Sequence, residues 1–129
     1  MTDRKRETLK FLVVEDDEAS RTIIARFLNH LGYSNLVLAK NGKAAINQLK
    51  LSPVDLIISD WRMPDMDGLE LYWAAKNQEL LDDAPFLMVS AENERGKVLE
   101  ALQAGVSDYI VKPVNSEILK SKIDKLLKL

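Results

Sequence analysis

The chain has 129 residues, the size of one domain, and a domain of this size buries roughly two thirds of the surface it exposes when unfolded. Hydrophobic residues make up 47% and charged residues 29%, with a net charge of -2, an ordinary balance for a globular protein that disfavours nonspecific nucleic-acid binding. Cysteine is absent, which removes disulfides, thiolate metal sites and cysteine nucleophiles.

The first stretch, MTDRKRETLK, is charged and lacks the apolar centre of a secretory signal, so residues 1–8 read as a solvated tail before a domain over 9–129. No later segment is long and apolar enough to insert into a membrane, and the cytoplasm is the expected compartment. LKFLVV (9–14) has strand length and composition. After it, Ile24, Phe27, Leu28 and Leu31 follow the i, i+3, i+4, i+7 spacing of one buried helical face, and Gly32 stands where a left-handed cap would end it. His30, late in that helix beside Asn29, reads as solvated. NLVLA (35–39) is the second strand, and Ala45, Ile46 and Leu49 make a weaker second helix.

VDLIIS (54–59) is the third strand and runs into Asp60. Asp67, Gly68 and Glu70 look like a helix start with a structural role, and packing is the expected role of Tyr72 and Trp73 in the helix that follows. NQELLDDA (77–84) is the longest irregular stretch and reads as a surface connection. PFLMVS (85–90) is the fourth strand, and Val98, Ala101 and Leu102 before Gly105 mark the fourth helix. DYIVK (108–112) is the fifth strand, and Leu119, Ile123, Leu126 and Leu127 mark the last helix.

Several strand cores are nearly continuous apolar runs, as strands covered on both faces of a parallel sheet require. Strand and helix alternate throughout, which predicts an α/β domain with right-handed crossovers and helices on both faces of the sheet. In such sheets ligands sit at the carboxyl ends of the strands. There the sequence delivers Glu15, Asp16 and Asp17 after strand one, Asp60 after strand three, Ser90 after strand four, and Lys112 with Pro113 after strand five.

Carboxylates brought together repel one another and call for a cation. Hard oxygen ligands suit Mg²⁺, which keeps water and takes a phosphate into its shell; without cysteine and with one histidine, zinc does not fit. Lys112 and Ser90 supply an ammonium and a hydroxyl for the remaining phosphoryl oxygens. The set reads as a site for phosphoryl transfer onto a carboxylate with Asp60 as nucleophile. Asp17 reads as the cap of the first helix, and each of these residues taken alone has an ordinary surface role.

The segments VVEDDEASR, SDWRMPDMDGLEL, LMVSAE and AGVSDYIVKP resemble the receiver domains of two-component response regulators, of the CheY-like kind, and the likeness runs from about Lys10 to the end. The resemblance implies a flavodoxin-like, doubly wound five-stranded parallel sheet of order 2-1-3-4-5. It makes Asp60 the phosphoacceptor and Glu15 and Asp16 the acidic pair. Asp16 is then the direct Mg²⁺ ligand, with the backbone carbonyl of Arg62 as another. Ser90 matches the hydroxyl position, Lys112 the lysine before a cis proline, and Tyr109 the aromatic switch. Glu15 replaces the more usual aspartate, and Val114 stands where CheY-type sequences have phenylalanine.

The partners so implied are a sensor histidine kinase or histidine phosphotransfer protein, and a downstream target on the face of the fourth helix, fifth strand and fifth helix, with chemotaxis as the setting and no direct nucleic-acid contact. Phosphorylation is expected to draw Ser90 inward and let Tyr109 turn into the space vacated. The chain would be no enzyme beyond promoting its own phosphorylation and dephosphorylation. Arg62 and Glu92, each two residues past a site residue, should face each other across the site mouth and hinder hydrolytic water.

Alternatives are a receiver fragment of a larger regulator and an interaction module that works without phosphorylation. A haloacid-dehalogenase-like phosphatase would need an Asp-x-Asp pattern, which Asp60, Trp61 and Arg62 lack. A flavodoxin-like nucleotide binder would need a Gly, Ser or Thr-rich loop where Glu15, Asp16 and Asp17 stand.

Overall fold

Each strand core alternates its side chains between two apolar layers, and this is why continuous hydrophobic runs suit it. The computed structural model describes residues 6–129. Its strands are β1 (Lys10–Val14), β2 (Asn35–Ala39), β3 (Leu56–Ser59), β4 (Phe86–Ser90) and β5 (Asp108–Val111). They form one parallel sheet of order β2-β1-β3-β4-β5, as expected. Between and after them run α1 (Glu18–His30), α2 (Gly42–Leu51), α3 (Gly68–Asn77), α4 (Arg95–Ala104) and α5 (Ser116–Leu127).

Phe11, Val13, Leu56, Ile58, Leu87 and Val89 point to one face, where Ile24 and Leu28 of α1 and Leu119 and Ile123 of α5 cover them. Leu12, Val14, Ile57, Phe86 and Met88 point to the other, under Ala45 and Leu49 of α2, Leu71 and Ala75 of α3 and Ala101 of α4. The alternation therefore fills two cores with one sheet. β2 is an edge strand and is correspondingly less buried.

Helix starts follow the capping residues. Asp17 accepts from the Ser20 N–H at 2.9 Å, and Asp67 and Glu70 form a reciprocal capping box. Gly32 and Gly105 follow α1 and α4 with positive φ. His30 is exposed.

Several expectations change. β3 begins at Leu56 rather than Val54, because Asp55 turns its carboxylate to the Lys10 N–H while its own N–H bonds the Lys10 carbonyl. Tyr72 packs edge-on against Phe86, but Trp73 is 46% exposed and does no core packing. The 77–84 connection lies at the surface, yet Leu80 and Leu81 dip against the α3 side of the core. Of the charged tail, residues 1–5 fall outside the described residues. Arg6 is half-buried rather than solvated: it donates to the Leu31 carbonyl at 3.1 Å and lies over the Tyr33 ring. Carbonyls at the end of α1 have no partner within the helix, and a guanidinium satisfies one of them.

Candidate functional site

Of the residues singled out at the strand ends, Glu15, Asp16, Asp60 and Lys112 are brought together. Val14 O receives the Asp60 N–H at 3.0 Å, which continues the β1–β3 ladder one step and sets Asp60 on a rigid rim beside Glu15. Carboxylate oxygens of Glu15, Asp16 and Asp60 lie within 4.8 Å of one another. Glu15 is buried, Asp16 exposed, and Asp60 between the two. Asp60 Oδ1 accepts the Trp61 N–H at 2.7 Å.

Lys112 bonds both acids, at 2.7 Å to Glu15 Oε1 and 3.3 Å to Asp60 Oδ2. Two strands separate β1 from β5, a span of about 14 Å at the usual strand spacing, so the contact depends on two long side chains reaching over β3 and β4. The Lys112–Pro113 bond is cis. Although burial works against its charge, hydrogen bonding to Glu15 and the charge of Asp60 hold the Lys112 pKa above its ordinary value. Burial, reinforced by the neighbouring Asp60, pushes the Glu15 carboxyl up to about 7.

The second half of the site is organised around Glu92. Its N–H donates to Ser90 Oγ at 3.2 Å, its carbonyl accepts the Tyr109 hydroxyl at 2.8 Å, and its carboxylate pairs with Arg62 at 3.1 Å. The anticipated meeting of Arg62 and Glu92 is present. Arg62 also stacks over Trp61, whose ring approaches Tyr109 edge-on. Tyr109 is buried, with its hydroxyl donating to the Glu92 carbonyl and Trp61 against its ring.

Comparison with known proteins agrees with this geometry. Residues 11–124 match the response regulator receiver domain family. The chain belongs to that family. Chemotaxis protein CheY of Pseudomonas aeruginosa is 41% identical over 118 residues, 92% of this chain and 95% of its own length. Chemotaxis protein CheY-3 of Vibrio cholerae is 39% identical over 120 residues, 93% of this chain and 92% of its own. Among solved structures, Vibrio cholerae CheY4 superposes with a TM-score of 0.85 at 31% identity, covering 92% of this chain and 98% of that one. The receiver domain of Francisella response regulator 1452 gives 0.85 at 28% identity, with 94% and 98% covered. A CheY-like receiver works in two-component signalling, with a histidine kinase before it and target proteins after it. Among the described residues no helix is long and apolar enough to cross a membrane.

The receiver's acidic cluster has the chemistry of a hard-cation site. Glu15 Oε2 is buried with no hydrogen-bond partner, and the cluster gathers oxygen ligands only. A cation there would satisfy the orphaned oxygen and offset the burial and neighbouring Asp60 that raise the Glu15 pKa. Asp17 stays with the helix cap.

Sequence reasoning missed two supports. Ser59 Oγ donates to the Asp60 carbonyl at 2.8 Å, and Arg21 Nη1 donates to the Glu15 carbonyl at 2.8 Å. The second had a signal: Arg21 is the fourth residue after the capping Asp17, which turns it back over the loop.

Proposed function

We propose that Asp60 accepts a phosphoryl group from a phosphohistidine on a sensor kinase or histidine phosphotransfer protein, and that this controls a protein-binding face. The observation that carries the proposal is the Lys112 ammonium bridging Glu15 and Asp60, two of three clustered carboxylates. Glu15, Asp16, Asp60 and the Arg62 carbonyl would hold Mg²⁺, which supplies positive charge to the phosphoryl oxygens when bound. An Asp60 oxygen forms the new bond to phosphorus as the phosphorus–nitrogen bond breaks, and the electron pair stays with the imidazole. Lys112, already 3.3 Å from Asp60 Oδ2, meets the charge on the transferred group without a long movement. The Ser90 hydroxyl, whose oxygen accepts the Glu92 N–H, donates its hydrogen to another phosphoryl oxygen.

Because Tyr109 is buried beforehand, phosphorylation in this reading retains it rather than driving it inward. The output face is α4, β5 and α5, where Leu99, Leu102, Val111 and Ile118 are exposed apolar residues suited to a partner protein. The close identity to named chemotaxis proteins favours chemotaxis as the pathway.

A phosphate mimic tests the site without a partner. Beryllofluoride, followed by fluorine NMR, is expected to bind only when Mg²⁺ is present. Glu15 must lose its proton to ligate, and its pKa stands at about 7, so protons compete with the metal and binding should strengthen from pH 6 to pH 8. Binding without Mg²⁺, or binding that is stronger at pH 6, contradicts the proposed ligand set.

The Arg62–Glu92 pair bears on the lifetime of the acyl phosphate. Arg62 is 56% exposed, so the pair adds little to stability, and its effect should appear in kinetics. Arg62→Ala and Glu92→Gln are each expected to speed dephosphorylation severalfold, with the double variant no faster than the singles. Wild-type rates in all three would remove the pair from the account.

A further inference from the structure

We infer that Arg21, on the first turn of α1, is a positioning residue for the acidic cluster: its bond to the Glu15 carbonyl fixes the peptide from which both Glu15 and Asp16 project. The inference rests on the cation-dependent reading given above and extends it to a residue outside the ligand set.

Glu15 has its backbone held on both sides. Its N–H donates to Ala39 O at 3.0 Å, the last step of the β1–β2 ladder, and its carbonyl accepts from Arg21 Nη1 at 2.8 Å. The second bond sets the plane of the peptide joining Glu15 to Asp16. Asp16 depends on it more than Glu15 does. The Glu15 side chain is buried and tied to Lys112, whereas Asp16 is exposed, and among the described residues no hydrogen bond holds its carboxylate. The backbone therefore sets where its side chain starts and which rotamers reach the cluster.

Arg21 is itself anchored. Its N–H donates to Asp17 O at 2.9 Å in the first turn of α1, and Asp17 is fixed by its capping bond from Ser20. The guanidinium thus connects a capped helix to the end of a central strand across the loop that carries the acids. Partners behind a metal ligand that orient it typically change metal affinity by about tenfold or more when removed. A loop carbonyl freed from its donor also turns toward water, which widens the range of Asp16 positions.

The test measures Mg²⁺ affinity directly, through Trp61 fluorescence in a Trp73→Phe background; the chain has 2 tryptophans, so Trp61 is then the single indole. Arg21→Ala is expected to raise the Mg²⁺ Kd about tenfold. Arg21→Lys should recover part of the affinity. Asn41→Ala is the control for a merely structural effect. It removes the 2.7 Å capping bond to Ala44 at α2 and should lower the unfolding temperature without changing the Mg²⁺ Kd.

An Arg21→Ala protein with wild-type Mg²⁺ affinity would overturn the inference, as would an Asn41→Ala protein that loses as much affinity as Arg21→Ala. Failure of the wild-type chain to bind Mg²⁺ at all would instead overturn the cation-dependent reading beneath it.

Discussion

Asp60→Asn should reduce labelling by acetyl phosphate to background while the protein remains folded. The carboxylate oxygen is the nucleophile, and an amide in the same place is a far weaker one. The fold does not depend on the lost charge. Asp60 is tied to β1 through its backbone N–H, and an asparagine oxygen can still accept the Trp61 N–H that Asp60 Oδ1 accepts now. Lys112 keeps its 2.7 Å bond to Glu15. Removing one of three clustered carboxylates also relieves repulsion, so thermal unfolding in the absence of a cation should move upward if it moves at all. Loss of labelling together with loss of the folded circular dichroism spectrum would leave the role of Asp60 without support from this variant; retained labelling in a folded protein would contradict it.

Gly68→Ala should carry the largest stability cost of any single added methyl group near the site. Gly68 opens α3, and its N–H donates to Trp61 O at 2.7 Å. A Cβ at this position would collide with the Asp60 carbonyl oxygen and press on the Trp61 backbone and the Met88 sulfur. Backbone atoms cannot rotate away, so α3 must lift from β3. Overpacking of this kind costs about 3 kcal/mol, and a domain of this size would then unfold roughly 10 °C lower. Since the atom struck hardest is the carbonyl oxygen of Asp60 itself, phosphorylation by acetyl phosphate should slow as well, measured below the new unfolding midpoint. A variant with wild-type stability would mean that α3 does not pack as described.

The sheet was legible because burial on both faces leaves a strong mark: Leu56, Ile57 and Ile58 are all fully buried, on alternating sides. Helix starts were legible because capping is local, as at Asp17 and Asp67. The strand-end chemistry was legible as a set of residue types, and the sheet order then brought Glu15 and Lys112 together across 97 positions of sequence.

What escaped depends on surroundings that no local pattern encodes. Trp73 and Tyr72 are neighbours of similar composition, yet only Tyr72 meets the core, because the turn of α3 aims one at Phe86 and the other at solvent. The buried position of Tyr109 depends on a carbonyl at Glu92, in the loop after another strand. Arg6 and Arg21 both act by donating to backbone carbonyls, groups that every residue carries and that the sequence therefore does not distinguish.

The central claim, that Asp60 is the carboxylate that receives the phosphoryl group, is tested most directly by locating the modification. Chain treated with acetyl phosphate and Mg²⁺ can be reduced with borohydride, which converts an aspartyl phosphate to homoserine, and then mapped by peptide mass spectrometry. Homoserine at position 60, absent when Mg²⁺ is chelated, is the predicted result. Homoserine at position 16 instead, or none anywhere in a folded and Mg²⁺-loaded chain, would contradict it.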